Sequence, residues 1–224
     1  MKVNLTNICK GYLDGTEFHS VLQGANLTLE RGEQLALMGE SGSGKSTLLN
    51  LISGLDSINS GEIWFDDTPF HLMTARERVL FRRQYIGMVF QQYNLLPTLT
   101  IADNIRFSRQ LNGQPENMAL WRQIISVLDI HALLGRYPEE VSGGQQQRVA
   151  IARTLYMEPA ILLADEPTGS LDEKNAHAVM RLLSQLTKQL DCTLLLVTHS
   201  ENVASYMEKC VRLQGGALNV KPHR

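Results

Sequence analysis

One octapeptide constrains the fold of this chain more than any other part of its sequence. Residues 39–46 read Gly-Glu-Ser-Gly-Ser-Gly-Lys-Ser, which fits the pattern G-x-x-x-x-G-K-[ST]. A short apolar run at 34–38 comes before them, and residues 45–52 continue with the leucine and isoleucine spacing of a helix. Strand, glycine loop and helix in this order are typical of a phosphate-binding loop, because glycines let successive backbone N–H groups point at phosphate oxygens beside a helix N-terminus. The sequence therefore predicts a nucleotide-binding site in an α/β fold.

The side chains of this loop have separate predicted roles. The Lys45 ammonium is expected to reach the β- and γ-phosphate oxygens, and the Ser46 hydroxyl is expected to ligate Mg²⁺. A flexible glycine turn without a ligand is the alternative interpretation, and the strand and helix on either side argue against it. The predicted phosphate-binding residues are Gly39, Glu40, Ser41, Gly42, Ser43, Gly44, Lys45, Ser46 and Thr47.

A triphosphate site also needs a carboxylate that holds the metal at the end of a neighbouring buried strand. The apolar run 160–164 ends directly before Asp165 and Glu166. Asp165 is expected to hold Mg²⁺ through water, whereas Glu166 points the other way and can polarise an attacking water as general base. An ordinary strand end with two solvated acids is the alternative interpretation of this pair.

His199 follows a second apolar strand, at 193–197, and should therefore emerge at the same edge of the sheet, where ligands of open α/β folds bind. It is expected to form a hydrogen bond with the γ-phosphate. Its alternative role is structural, because residues 198–200 also suit the N-cap of a helix.

The composition is that of an ordinary globular chain. Of its 224 residues, 43% are hydrophobic and 20% are charged, which excludes a disordered chain. The formal net charge is -2, so no overall basic field favours DNA or an anionic membrane surface. The three cysteines lack the spacing of a zinc site, and no apolar run approaches the roughly 20 residues that span a bilayer. We therefore expect a cytoplasmic chain that does not insert into a membrane.

Short apolar runs alternate with helical patterns along most of the chain. Strands are expected at 3–8, 21–29, 34–38, 62–65, 85–90, 160–164 and 193–197, with a terminal hairpin at 209–220. Helices are expected at 45–52, 74–84, 101–111, 118–128 and 173–190, and another opens at Ser142. The polar segment 11–20 is expected to be turn-rich. The pattern predicts an α/β fold: a P-loop NTPase core with a mostly parallel sheet, an N-terminal antiparallel β subdomain and an inserted α-helical subdomain.

A second helix N-terminus carries the most specific motif of the chain. Ser142, Gly143, Gly144 and Gln145 open a predicted helix that residues 146–153 continue. This segment resembles the signature motif of ABC-transporter ATPases, although Ser142 and Gln145 also suit an ordinary capping box. In that family two subunits pack head to tail, and each signature motif covers the γ-phosphate held by the glycine loop of its partner. The resemblance thus implies a homodimer in which these four residues contact ATP.

Other positions of the family occur here in the same order, so the resemblance covers essentially the whole chain. Tyr12 matches the aromatic residue that stacks on adenine, and Gln91 matches the glutamine that contacts Mg²⁺ and the attacking water. Residues 170–172 resemble the loop between the two sites, and His199 matches the switch histidine. The resemblance implies ATP and Mg²⁺ as ligands. The expected metal ligands are Ser46, Gln91 and Asp165, and the expected catalytic residues are Glu166, His199 and Gln91.

The membrane-spanning part of the transporter is expected to be a separate polypeptide. Segments 91–100, 145–147 and 165–172 are similar to the branch of the family that contains lipoprotein-release and macrolide-export ATPases. Some members of that branch continue into a membrane domain, whereas this chain ends at Arg224. We therefore expect a separate transmembrane permease subunit and a peripheral position on the inner face of the cell membrane.

The permease is expected to dock near 91–100. The candidate docking side chains are Tyr93, Leu95, Leu96 and Leu99, and the alternative is that they pack the helical subdomain. The expected organisation is a single ABC ATPase domain, 1–224, with a core at about 1–91 and 158–224 and a helical subdomain at about 92–157.

Two other function classes compete with a transporter subunit. A soluble ABC ATPase acting on nucleic acid or ribosomes is disfavoured, because the chain has no basic tail, zinc-spaced cysteines or second ATPase half. A P-loop kinase acting on a small molecule would leave residues 142–145 without a role.

Overall fold

The computed structural model describes residues 1–221 and divides their strands between two sheets. In chain order the elements are β1 (Val3–Asp14), β2 (Glu17–Leu29), β3 (Gln34–Met38), α1 (Lys45–Ser53), β4 (Ser60–Phe65), β5 (Thr68–Pro69), α2 (Ala75–Tyr85), β6 (Ile86–Val89), α3 (Ile101–Leu111), α4 (Met118–Val127), α5 (Gly143–Tyr156), β7 (Ile161–Asp165), α6 (Glu173–Gln189), β8 (Thr193–Val197), α7 (Glu201–Ala204), β9 (Lys209–Gln214) and β10 (Ala217–Lys221).

The larger sheet positions the candidate site. Its strand order is β10-β9-β3-β8-β7-β6, and the pairs from β9 to β6 are parallel, with β10 antiparallel at one edge. All residues of β3 and β8 are buried, as expected for strands covered on both faces. Val197 pairs with Leu37 on one side and Asp165 on the other, so β3, β8 and β7 end at one sheet edge. The predicted mostly parallel core is confirmed.

The smaller sheet is antiparallel, with strand order β2-β1-β4-β5. One expectation is wrong here: 11–20 is not a turn-rich segment, because β1 and β2 continue through it to a tight turn at Gly15 and Thr16. Tyr12 pairs with His19 across the two strands. The hairpin tip is exposed, including its cross-strand pair of Leu13 and Phe18, so backbone pairing stabilises it without the alternation of buried apolar side chains that marks a half-buried strand.

The helices α3, α4 and α5 lie between β6 and β7 in the chain, as the predicted helical insertion requires. Their inner faces form a core with α6, in which the rings of Trp121 and Tyr156 meet edge to face with centroids 5.3 Å apart. Leu95 packs against this core, which favours the packing alternative for that residue. Within residues 1–221, the structure contains no helix that is both long and apolar enough for a bilayer span.

Candidate nucleotide site

The connection from β3 to α1 is a cradle of open amides. The N-cap of α1 is Gly44, which has φ 100° and makes no side-chain capping hydrogen bond. A Cβ at this position would lie 2.7 Å from the Val21 side chain, and the backbone conformation of Gly44 is rare for other residues. Both the close contact and the backbone conformation therefore favour glycine. Because no side chain caps the helix, its first N–H groups are left for an anion.

Lys45 and Ser43 are the polar side chains inside this cradle. The Lys45 ammonium is buried and donates to the carbonyl oxygens of Gly39 and Glu40, at 2.9 and 2.7 Å. The Ser43 Oγ atom is also buried and has no hydrogen-bond partner within residues 1–221. A buried hydroxyl without a partner is rare in proteins, and it is consistent with a loop shaped to receive phosphate oxygens.

Asp165 ends β7 directly beside the loop. Burial raises the pKa of Asp165, and the charge of Glu166 adds to this effect, while a hydrogen bond with Ser46 and the charge of Lys45 oppose it. The Asp165 carboxylate and the Ser46 hydroxyl are thus neighbours, as predicted. A pair of oxygen ligands is the donor set that Mg²⁺ takes in phosphate-handling sites, where water and phosphate oxygens fill its remaining positions. The residues present therefore fit the metal.

Glu166 is held in an unusual conformation. Its φ is 46°, and its N–H donates to the Val197 carbonyl oxygen at 3.0 Å. Its Oε1 atom accepts the backbone N–H of His199 at 3.0 Å and lies 2.7 Å from His199 Nδ1. The Oε2 atom has a longer contact, 3.4 Å, with the Thr198 hydroxyl. The ends of β7 and β8 therefore place an acid and an imidazole in direct contact.

Gln91 lies at the far side of the same sheet edge. Its side chain packs against Gly169, three residues after Glu166. Its backbone carbonyl oxygen accepts a hydrogen bond from the Ser170 hydroxyl at 3.4 Å. The Tyr93 hydroxyl lies 3.1 Å from the same Ser170 Oγ. The segment after β6 and the loop after β7 are thereby joined, although both are exposed.

Residues 142–145 form a closed helix end. The N-cap of α5 is Ser142, whose Oγ accepts the Gln145 N–H at 3.4 Å, while Gln145 Oε1 accepts the Ser142 N–H at 2.9 Å. The capping-box interpretation of these residues is therefore correct as local geometry. Any side chain at Gly143 would meet the Tyr93 hydroxyl, and one at Gly144 would press on Asn175. Glycine lets this helix end pack closely on its neighbours.

Tyr12 lies on β1, beside the start of α1. Its hydroxyl donates to Asp56 Oδ2 at 2.8 Å and is also in hydrogen-bond contact with Thr47. The Lys10 ammonium lies 4.7 Å from the centroid of the ring. The aromatic residue predicted to stack on adenine is thus adjacent to the phosphate loop.

The sequence predicted which elements would meet but not every contact. Lys45, Asp165, Glu166 and His199 do lie at one sheet edge, as expected. Nothing in the local sequence indicates that the Glu166 carboxylate contacts His199, or that Lys10 and Asp56 hold Tyr12. The unpartnered hydroxyl of Ser43 was also not singled out from its neighbours in the loop. No local pattern could have revealed these features, because each depends on tertiary packing.

A parallel sheet that carries a glycine loop between β3 and α1, and a carboxylate at the end of β7, defines a P-loop nucleoside triphosphatase. Within that class, the profile of the ABC transporter family matches residues 22–169. The chain belongs to this family, as one of its ATP-binding subunits, whose activity is ATP hydrolysis. The predicted family and activity are confirmed.

Relatives and solved structures support this placement over nearly the full chain. The lipoprotein-releasing system ATP-binding protein LolD of Saccharophagus degradans is 39% identical over 219 residues, which are 97% of this chain and 96% of that protein. The bacitracin export ATP-binding protein BceA of Halalkalibacterium halodurans is 38% identical over 221 residues, 98% of this chain and 87% of that protein.

The structural comparison agrees. The dimeric structure of MJ0796, a bacterial ABC transporter cassette, matches with a TM-score of 0.85 and 36% identity, covering 99% of this chain and 100% of that one. A dimeric post-hydrolysis state of MJ0796 bound to ADP and Pi matches with a TM-score of 0.86 and 35% identity, with the same coverage. The predicted α/β P-loop fold is confirmed.

Proposed function

We propose that the carboxyl edge of the larger sheet forms one half of an ATP site that a second copy of the chain completes. The observation that carries this proposal is the convergence of Lys45, Asp165 and the Glu166–His199 pair at that edge. Tyr12, next to Thr47, supplies a flat surface for the adenine base.

ATP binding begins with an exchange of partners in the phosphate loop. Lys45 gives up the carbonyl oxygens of Gly39 and Glu40 and donates instead to the β- and γ-phosphate oxygens, which are charged and therefore better acceptors. The Ser43 hydroxyl gains a partner, and the first amides of α1 bind phosphate oxygens.

Ser46 and Asp165 would hold the metal, with the Gln91 amide oxygen as a further ligand. When bound there, Mg²⁺ would neutralise charge on the β- and γ-phosphate oxygens. Asp165 contributes a carboxylate whose charge is poorly solvated in the ligand-free protein, so it gains from a nearby cation.

Glu166 acts as the general base. Its Oε1 atom is committed to two contacts with His199, so the less engaged Oε2 atom is the one available to accept the proton of the attacking water. His199 fixes the carboxylate through its backbone N–H and its imidazole. In this assignment His199 orients the base as well as facing the γ-phosphate.

Two copies then pack head to tail, so that residues 142–145 of each cover the γ-phosphate bound by the other. The Ser142 oxygen accepts a hydrogen bond from Gln145, but the hydroxyl proton is left to donate to phosphate. The dimeric forms of the MJ0796 cassette support this arrangement.

The closing dimer drives a separate membrane subunit, which places this chain on the inner face of the cell membrane. The segment 91–100 is the proposed contact, because its Gln91 backbone accepts a hydrogen bond from Ser170 beside the site and its Leu95 packs against the core of the helical insertion, which connects the site to this segment. LolD and BceA are named for lipoprotein release and bacitracin export, so release or export of an amphipathic cargo is the favoured class. These relatives are transporter subunits, which disfavours the nucleic-acid alternative.

The Glu166→Gln variant tests the proposal. We expect ATP hydrolysis to fall by roughly 100-fold or more, because the general base is lost. ATP affinity should stay within about 3-fold, and an ATP-filled dimer should accumulate in gel filtration with Mg²⁺. The control is Glu208→Gln, which changes an exposed acid paired with Lys188 and should leave turnover unchanged. Unimpaired turnover in Glu166→Gln would remove Glu166 as the base.

A further inference from the structure

A closed polar triad lies on the smaller sheet, formed by Lys10, Tyr12 and Asp56. Lys10 Nζ lies 2.8 Å from Asp56 Oδ1, and the Tyr12 hydroxyl donates to Asp56 Oδ2 at 2.8 Å. The same ammonium lies 4.7 Å from the centroid of the Tyr12 ring. Each member of the triad therefore contacts the other two.

The ion pair of the triad is built into the fold. The Lys10 side chain is 8% exposed and the Asp56 side chain 28%. Lys10 also donates to the Ser57 carbonyl oxygen, and Asp56 Oδ1 accepts the Ser57 N–H. Burying a charge is costly unless its hydrogen bonds are made, and here they are made. Desolvation pushes the pKa of Asp56 up, but the hydrogen bonds from Lys10, Tyr12 and Ser57 outweigh it, and the pKa lies below its ordinary value.

The loop after α1 ties the triad to the phosphate-binding helix. The Asp56 N–H donates to the carbonyl oxygen of Asn50, within α1. Asn59 Oδ1 accepts the Gly11 N–H at 2.7 Å and so joins the same loop to β1. The Tyr12 hydroxyl contacts Thr47, in the first turn of α1. The ring is thereby fixed relative to the helix that starts at the phosphate loop.

We propose that Lys10 and Asp56 are positioning residues for the nucleotide base. Lys10 lies over one face of the Tyr12 ring, Asp56 holds its hydroxyl, and 42% of Tyr12 is exposed, which leaves the other face for a purine. A ring that is already immobilised loses less conformational entropy when the base stacks on it. This inference rests on the proposed ATP site, because it assigns to Lys10 and Asp56 the support of the adenine-binding residue.

The test compares ATP with inorganic tripolyphosphate, which has no base or ribose, by calorimetric titration in Mg²⁺. Asp56→Asn and Tyr12→Phe should each raise the Kd for ATP by about 3- to 10-fold, an effect of the size of one ordinary hydrogen bond, because the ring is held less firmly but keeps its stacking face. The Kd for tripolyphosphate should not change. The double variant should cost less than the sum of the two single variants, because both disturb the same contact between Tyr12 and Asp56. Asp67→Asn, an exposed aspartate between β4 and β5, is the matched control.

Each other outcome contradicts a specific claim. If Asp56→Asn weakens both ligands equally, the triad only supports the fold, and the positioning role is wrong. Tyr12→Phe keeps the Lys10–Asp56 ion pair and so tests the role without disturbing that pair. If the unaltered protein binds ATP more tightly than tripolyphosphate but neither variant reduces that difference, the positioning role of Lys10 and Asp56 is wrong, while the proposed ATP site stands. If the unaltered protein binds ATP no better than tripolyphosphate, the proposed role of Tyr12 fails first.

Discussion

The two glycine-bearing helix N-termini of this protein are built in opposite ways. The N-terminus of α1 begins at Gly44 and has no side-chain cap, and its loop contains a buried serine hydroxyl without a partner in the described residues. The N-terminus of α5 is closed by the reciprocal hydrogen bonds of Ser142 and Gln145. One end is therefore incomplete in the isolated subunit, and the other is complete.

This difference matches the two proposed roles. An open end binds an anion as soon as one arrives, because its amides have no competing side-chain partner. A capped end is rigid and offers a hydroxyl proton, so it suits a second contact with a phosphate that another subunit has already bound. The affinity for ATP should therefore depend on the N-terminus of α1, whereas ATP turnover should depend on the N-termini of both α1 and α5.

Removal of the Lys45 ammonium should have the largest effect on binding. We expect Lys45→Ala to raise the Kd for Mg²⁺-ATP by roughly 100-fold, because charge-assisted hydrogen bonds to phosphate are lost in a buried cradle. Calorimetric titration measures this change. Lys2→Ala, which removes an exposed lysine paired with Glu30, should bind ATP normally. Retention of tight binding by Lys45→Ala would show that α1 is not the primary anion site.

Blocking the capped end should separate turnover from affinity. Ser142→Arg should lower ATP hydrolysis by roughly 100-fold, because a bulky cation replaces the hydroxyl that is proposed to meet the partner's phosphate. The Kd for ATP should stay within about 3-fold. Thr74→Arg is a matched control, because Thr74 and Glu77 form the same kind of capping box on α2. A fall in affinity as severe as that of Lys45→Ala would contradict action across the interface.

The two capping boxes should also respond differently to pH. Ser142→Ala should reduce the free energy of unfolding by about 1 kcal/mol at any pH, because Gln145 is neutral. Glu77 has a lowered pKa, first through the Thr74 hydroxyl and then through the Thr74 N–H. Its stabilising effect is complete above the ordinary carboxyl range and is lost as the pH falls through the lowered pKa.

Urea unfolding measures this contrast. The destabilisation caused by Thr74→Ala should shrink between about pH 7 and about pH 3.5, whereas that caused by Ser142→Ala should stay constant. Equal pH dependence of the two variants would mean that Glu77 does not stabilise its helix through its charge.

Local signals explain what the sequence could predict. The strands β3, β7 and β8 are short runs with one polar residue each at an end, and α1 follows a glycine loop, so the sequence indicates their type and order. The fold class and the residues at the sheet edge followed from these elements. The exposed hairpin of β1 and β2 was not predicted to its full length, since its outer pairs bury nothing and leave no periodic pattern.

Long-range contacts explain what it could not predict. Glu166 and His199 are 33 residues apart, and Lys10 and Asp56 are 46 apart. Each pair meets because separate parts of the fold lie side by side, and nothing in either local sequence specifies the partner. Strand order brings His199 to Glu166, and the loop after α1 brings Asp56 to β1.

The left-handed backbone of Glu166 sets stability against activity at a single position. A φ of 46° costs a residue with a side chain about 1 kcal/mol relative to glycine. Glycine at this position would relieve that backbone strain, but it would also remove the contacts of the carboxylate with His199 and Thr198, together with the proposed base. A laboratory selection for heat resistance alone would act on the balance between the strain and these contacts, whereas a selection for ATP turnover would retain the strained glutamate.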